Sequence, residues 1–152
     1  MHARRTSACT LAAALGAALM FASAPAAAQG PLPADSLARA RTWSFWFMAG
    51  VPDSIAAHML PDVLTSIGGR TGLVDAQAMI AERAGTEKRL IEERFVWRNG
   101  KRQYWRVMEM TTLPEPFVLR FVMDEQGRIA GLGLGPQSAT PPVDSGGVAI
   151  KP

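Results

Sequence analysis

The stretch Pro116-Phe117-Val118-Leu119-Arg120-Phe121-Val122-Met123-Asp124-Glu125-Gln126-Gly127-Arg128-Ile129-Ala130-Gly131-Leu132-Gly133-Leu134 decides the fold. Phe117, Leu119, Phe121 and Met123 alternate with Val118, Arg120, Val122 and Asp124, the period of a strand whose successive side chains point to opposite faces. Asp-Glu-Gln-Gly breaks the run and the apolar pattern resumes at Ile129, so the stretch is expected to be two antiparallel strands. Asp124 and Glu125 read as turn formers, with Gly127 supplying the positive φ that closes the turn.

Immediately upstream, Leu113-Pro114-Glu115-Pro116 is a turn whose prolines forbid a continuous ladder. Before it the period is again two, in Leu90 to Arg98 and in Arg102 to Thr112. Asn99-Gly100 between them is a strong short-range signal for a tight hairpin and sets Arg98 opposite Lys101. Counting back from that pair places Trp97 opposite Arg102, Phe95 opposite Tyr104, Glu93 opposite Arg106 and Ile91 opposite Met108 on one face. The other face takes Leu90, Glu92, Arg94 and Val96 against Glu109, Val107, Trp105 and Gln103. The first set is the more apolar and is expected to look inward, which makes Glu93 and Arg106 a facing ion pair at the interior.

The period before Thr86 is helical. Asp35 can cap a helix carrying Leu37, Ala40, Trp43, Phe47 and Met48 to a stop at Gly50. A second short helix is expected from Pro52 through Ile55 and His58 to Leu60. Pro61 to Ile67 can add a turn, closed by Gly68-Gly69. Thr71 can cap a last helix with Leu73, Ala76, Met79, Ile80 and Ala84 on its apolar side and Gly85 as its stop.

The ends set the compartment. Arg4 and Arg5, the uncharged run from Leu11 to Ala24 and the small residues up to Ala28 describe a secretory signal peptide over residues 1–28, too short to anchor in a membrane. Thr6-Ser7-Ala8 after the arginines lacks the hydrophobic pair of a twin-arginine signal, which favours the general export route. A bacterial periplasmic or secreted location follows, with no membrane attachment after cleavage. Residues 29–34 are a linker and 35–136 one domain. Residues 137–152, rich in Ser, Thr, Pro and Gly, are expected to be a flexible tail.

Several chemistries are excluded. Cys9 is the single cysteine and leaves with the signal peptide, so neither disulfides nor thiolate catalysis are expected. The formal net charge of +3 falls by two with Arg4 and Arg5, and acidic residues are interleaved among Lys88–Arg106, so no nucleic-acid partner is expected. His58 is the last histidine after cleavage, and alone it makes no metal site. The glycines at 68, 69 and 72 follow no strand and match no nucleotide fingerprint. No cofactor is expected.

Helices followed by two consecutive hairpins argue for an α+β domain in which N-terminal helices pack in a curved four-stranded antiparallel sheet. Phe47-Met48-Ala49-Gly50, Ile55 with Met59-Leu60, Ile67-Gly68-Gly69 and above all Val122 to Leu132 with Pro136 carry a resemblance. The chain resembles the cone-shaped roll of the nuclear transport factor 2-like, or cystatin-like, superfamily. Within it, it is similar to small secreted bacterial domains of unknown function often fused ahead of α/β-hydrolase or β-lactamase-type domains. The resemblance implies an apolar cavity at the open end of the roll, for which Trp43, Phe47, Met59, Phe95, Arg106, Met108 and Phe121 are the ligand-binding candidates.

A carboxylate held by an arginine suits an anchor better than a base, so the leading reading is a non-enzymatic binding module for an apolar small molecule or a partner protein. The alternative is an isomerase, cyclase or dehydratase of the SnoaL-like or ketosteroid-isomerase-like kind, with His58 or Glu93 as base and Tyr104 as donor. A further alternative is a module that forms a homodimer through the sheet, with Trp105 and Arg94 as interface residues on its outer face.

Overall fold

Asn99 (φ 52°) and Gly100 (φ 67°) both adopt positive φ, the conformation of a type I′ turn. In the computed structural model, which describes residues 34–144 and the backbone of 148–150, this turn joins β1 (Glu87–Arg98) to β2 (Lys101–Met110). The expected register holds from Arg98↔Lys101 back to Glu92↔Val107 and includes Glu93↔Arg106. It then slips: Leu90, not Ile91, faces Met108. Ile91 is the extra residue of a β-bulge and stands 41 % exposed.

The second hairpin is β3 (Phe117–Met123) and β4 (Ile129–Pro136). Its turn closes as expected: Gly127 (φ 73°) donates to the Asp124 carbonyl at 3.1 Å and the Asp124 side chain accepts from the Arg128 amide at 2.7 Å. The two hairpins form one antiparallel sheet that also has a fifth strand, β5 (Val148–Ile150), in the order β4-β3-β2-β1-β5.

Among the described residues four helices precede the sheet. α1 (Ser36–Met48) buries Ala40, Trp43 and Phe47, as its period requires, and leaves Phe45 68 % exposed. Asp35 makes no capping bond with its side chain; it accepts from Arg39 Nη2 at 3.0 Å instead. α2 (Pro52–Ala56) ends before His58, because the following residues lie along β4. There the Ile129 amide donates to the His58 carbonyl at 2.8 Å and the Leu60 amide to the Ile129 carbonyl at 2.9 Å. α3 (Pro61–Ser66) follows, and α4 (Gly69–Arg83) starts ahead of Thr71, at the left-handed Gly68 (φ 90°).

The helices and the inner sheet face share one core containing Trp43, Phe47, Ile55, Leu73, Phe95, Tyr104, Met108, Leu119, Phe121 and Ile129. Trp43 meets Phe121 edge-on at 5.8 Å. Fully burying one such large apolar side chain stabilises by about 1.5–3 kcal/mol, so the α1 stripe and the hairpins hold each other in place.

A second apolar cluster lies on the outer face: Val96, Trp105, Val107 and Val118, with Val143 packed against them. The segment expected as a flexible tail contributes that valine. After β4 a single 3-10 turn (Gln137–Ala139) is tied back by the Gln137 amide to the Pro116 carbonyl at 2.8 Å. The chain then brings Val143 onto the outer cluster. Asp144 closes it down on the first hairpin: its amide donates to the Trp97 carbonyl at 2.8 Å and its carboxylate accepts from the Gly100 amide at 3.2 Å. The physical reason is that an outer face with three valines and a tryptophan gains by being covered. The expected signal peptide and residues 29–33 lie outside the described residues.

Candidate functional site

Among the described residues Glu93 is the only buried carboxylate, with its side chain 1 % exposed. The hairpin register brings Arg106 directly across from it and Tyr104 one rung away, while α1 lays Arg41 over it. Glu93 Oε1 accepts from Tyr104 Oη at 2.5 Å and from Arg106 Nη1 at 2.8 Å. Its Oε2 accepts from Arg41 Nε at 2.9 Å and Nη2 at 2.7 Å. The remaining fork of Arg106 reaches Glu87, at 3.2 Å from Nε and 2.7 Å from Nη2. The result is a chain Arg41–Glu93–Arg106–Glu87 that runs from a half-exposed guanidinium (47 %) through the interior.

The electrostatics follow from these contacts. Burial alone raises the Glu93 carboxyl, but hydrogen bonds from Arg41 and Tyr104 and the charges of Arg41 and Arg106 outweigh it and leave it below the ordinary carboxylate value. Burial and the hydrogen bond to Glu93 hold Tyr104 well above its usual value as a neutral phenol. Four donors on two oxygens use the lone-pair sites a carboxylate offers, so Glu93 has none left for a substrate proton. Chemically the cluster fixes α1 to the sheet.

The other candidates are dispersed. The His58 ring is on the surface, stacked on Trp46 at 5.5 Å and tilted to Trp43 at 6.1 Å. Its backbone pairs with the free side of β4, four strand spacings from Glu93 on β1 and thus roughly 19 Å along the sheet, so the two do not form one acid–base pair. Trp43, Phe47, Met59, Phe95, Met108 and Phe121 are all buried in the inner core, and Arg106 belongs to the ion chain. Of these, Phe47 also reaches the surface of a cleft of about 90 Å³ between the ends of α1 and α4 and the start of β1, where Met48, Gln77, Ile80, Ala81, Gly85, Thr86 and Glu87 complete the lining. Gln77 is pinned there by its Nε2 donating to the Phe47 carbonyl at 3.1 Å.

Trp105 is 2 % exposed and does not present itself as an interface anchor. Its indole donates to Gln103 Oε1 at 2.9 Å, Val143 packs against its cluster, and the guanidiniums of Arg94 and Arg120 lie 5.0 and 5.7 Å from its ring. Sequence reasoning paired Arg94 with Trp105 but missed Arg120 as the second cation, and it missed Arg41 and Glu87. The signal for Arg120 was present, since the register of two consecutive hairpins sets Arg94, Trp105, Arg120 and Gly133 in one row. No local signal marks Arg41, whose partner depends on how a helix docks.

Among the described residues no group of three or more His, Cys, Asp or Glu side chains is placed to hold a metal ion, and no helix is long and apolar enough to cross a membrane. No family model, curated protein or solved structure matches the chain.

Proposed function

We propose that this chain is an exported, non-enzymatic binding module built on the roll of the nuclear transport factor 2-like superfamily. It takes a small apolar group, offered by a small molecule or a partner protein, in the cleft between α1, α4 and β1. The observation that carries the reading is the saturation of Glu93: this carboxylate, the one buried among the described residues, accepts four hydrogen bonds and is stabilised as an anion, a structural anchor rather than a poised base. His58, the other candidate base, stands on the surface away from it.

The cleft of about 90 Å³ is well below the several hundred Å³ of a drug-sized ligand site, which limits its occupant to one side chain or one end of a larger molecule. Its floor is apolar and its rim carries Glu87, already neutralised by Arg106. The test is native mass spectrometry of the protein recovered from periplasm or medium, for wild type and Ala81→Trp. Ala81 is an exposed cleft residue, so the indole fills the cleft without disturbing the core. A bound mass in wild type that the variant loses supports the proposal; no bound mass in either, or the same mass in both, sinks it. Export is checked separately by the mature N-terminus, expected at Gln29.

A further inference from the structure

We propose that the outer face of the sheet holds a second, independent site, in which Arg120, Arg94 and Arg98 receive a phosphate-type oxyanion beside the Trp105 ring. The row Arg94–Trp105–Arg120–Gly133 crosses four strands, so two guanidiniums from different strands share one aromatic ring. Arg120 is set in place twice, by that ring and by Gly133. A Cβ at Gly133 would collide with the Arg120 guanidinium, so the absence of a side chain there is what lets the cation lie flat over β4. Gly131 and Gly135 continue the outward positions of β4; the Val122 side chain lies over Gly131, and the space above Gly135 is open.

What Arg120 and Arg98 lack is a counter-charge. Every arginine of the inner cluster grips a carboxylate, yet no ion pair involves Arg120 or Arg98 among the described residues. Arg94 has Glu92 at 3.7 Å only, and its buried Nε meets no acceptor. Arg120 feels burial and the Arg98 charge, both of which disfavour its cationic form. Like charges held together without a counter-charge are a standing cost that an oxyanion removes, and planar guanidiniums are the side chains that match its geometry. Stacking on Trp105 pre-orders Arg94 and Arg120, so little of their side-chain freedom is lost on binding. The carboxylates of this neighbourhood do not compete: Glu92 is turned to Arg94 and Asp144 to the Gly100 amide.

The test uses the full mature chain at constant ionic strength. Inorganic phosphate is titrated while the Trp105 indole and the Arg120 Nε–H signals are followed by ¹H–¹⁵N NMR. A saturable shift of both, weakened at least tenfold by Arg120→Gln and by Gly133→Ala, is the expected result. Gly133→Ala keeps every charge and only displaces the guanidinium, and an unchanged amide spectrum elsewhere certifies the fold of both variants. Arg83→Gln, on the exposed side of α4, should leave the titration as in wild type. A linear, non-saturating shift, or one that survives both variants, overturns the site and reduces it to salt screening. A parallel flotation assay with phosphatidylglycerol vesicles separates the sources: retention lost in Arg120→Gln assigns the phosphate to a lipid head group, and no retention leaves it to a soluble molecule.

Discussion

The two faces of the sheet solve the same problem, placing arginines beside buried groups, in opposite ways. On the inner face the two guanidiniums of the Glu93 cluster are matched: Arg41 and Arg106 close on Glu93, and Arg106 closes again on Glu87. On the outer face Arg94 and Arg120 rest on an indole, and the nearest carboxylate is 3.7 Å from one of them. The inner arrangement spends its charge on rigidity and has nothing left to offer a ligand. The outer one is stabilised mainly by packing, and its charge is still available. A difference of this kind, between satisfied and unsatisfied cations on one sheet, distinguishes scaffold from surface more sharply than burial does.

That contrast can be broken experimentally. The largest effect is expected for Glu93→Ala, which strands Arg106 in the interior and should cost about 3–5 kcal/mol in urea unfolding. A loss below about 1 kcal/mol would mean that the inner cluster is not the anchor described. Next, Trp105→Ala should cost about 3 kcal/mol, the lower end for a buried aromatic, while leaving the sedimentation coefficient unchanged. A shift from dimer to monomer would restore Trp105 as an interface residue. Tyr104→Phe removes one hydrogen bond to a charged acceptor and should cost about 1.5–3 kcal/mol without altering the core. Arg120→Gln should cost less than about 1 kcal/mol, since it removes a stacked cation that has no ionic partner.

The pH dependence sharpens the same comparison. The Glu93 carboxyl is held below its unfolded value of 4.5, so its contribution is fully present above that pH and is lost as pH falls through the lower folded value. Urea midpoints measured from pH 6 downward should therefore fall below about pH 4.5. In Glu93→Gln this part of the dependence should flatten, and a wild-type slope in that variant would assign the acid sensitivity elsewhere.

Much of the fold was legible. Two hairpins follow from alternation and turn chemistry, and Asn99-Gly100 fixed the rungs from Glu92 to Arg102 because a two-residue turn leaves no freedom of register. The same counting found the Glu93–Arg106 pair. It failed at Ile91 because Leu90 and Ile91 are both apolar, so slipping one residue changes nothing in the pattern. Arg41 was invisible for a different reason: its partner is 52 residues away and set by tertiary docking. The strap over the outer face was not legible in composition, since Pro141, Pro142 and single apolar residues resemble disordered sequence. The clue lay on the sheet instead, where Val96, Trp105, Val107 and Val118 make a face too apolar to be left wet.

The bulge at Ile91 also has a meaning in time. Among the described strands β1 is made first, yet its outer neighbour is β5, the last to be synthesised. Until Val148–Ile150 emerge, the whole length of β1 is an open edge on a chain whose two hairpins can already have closed. An unpaired edge recruits other chains, and a local kink flanked by Lys88 and Arg89 interrupts the flat template that such recruitment needs. In the finished molecule the described residues of β5 pair with Glu93, Arg94 and Phe95, and the kinked segment lies before them on the same edge.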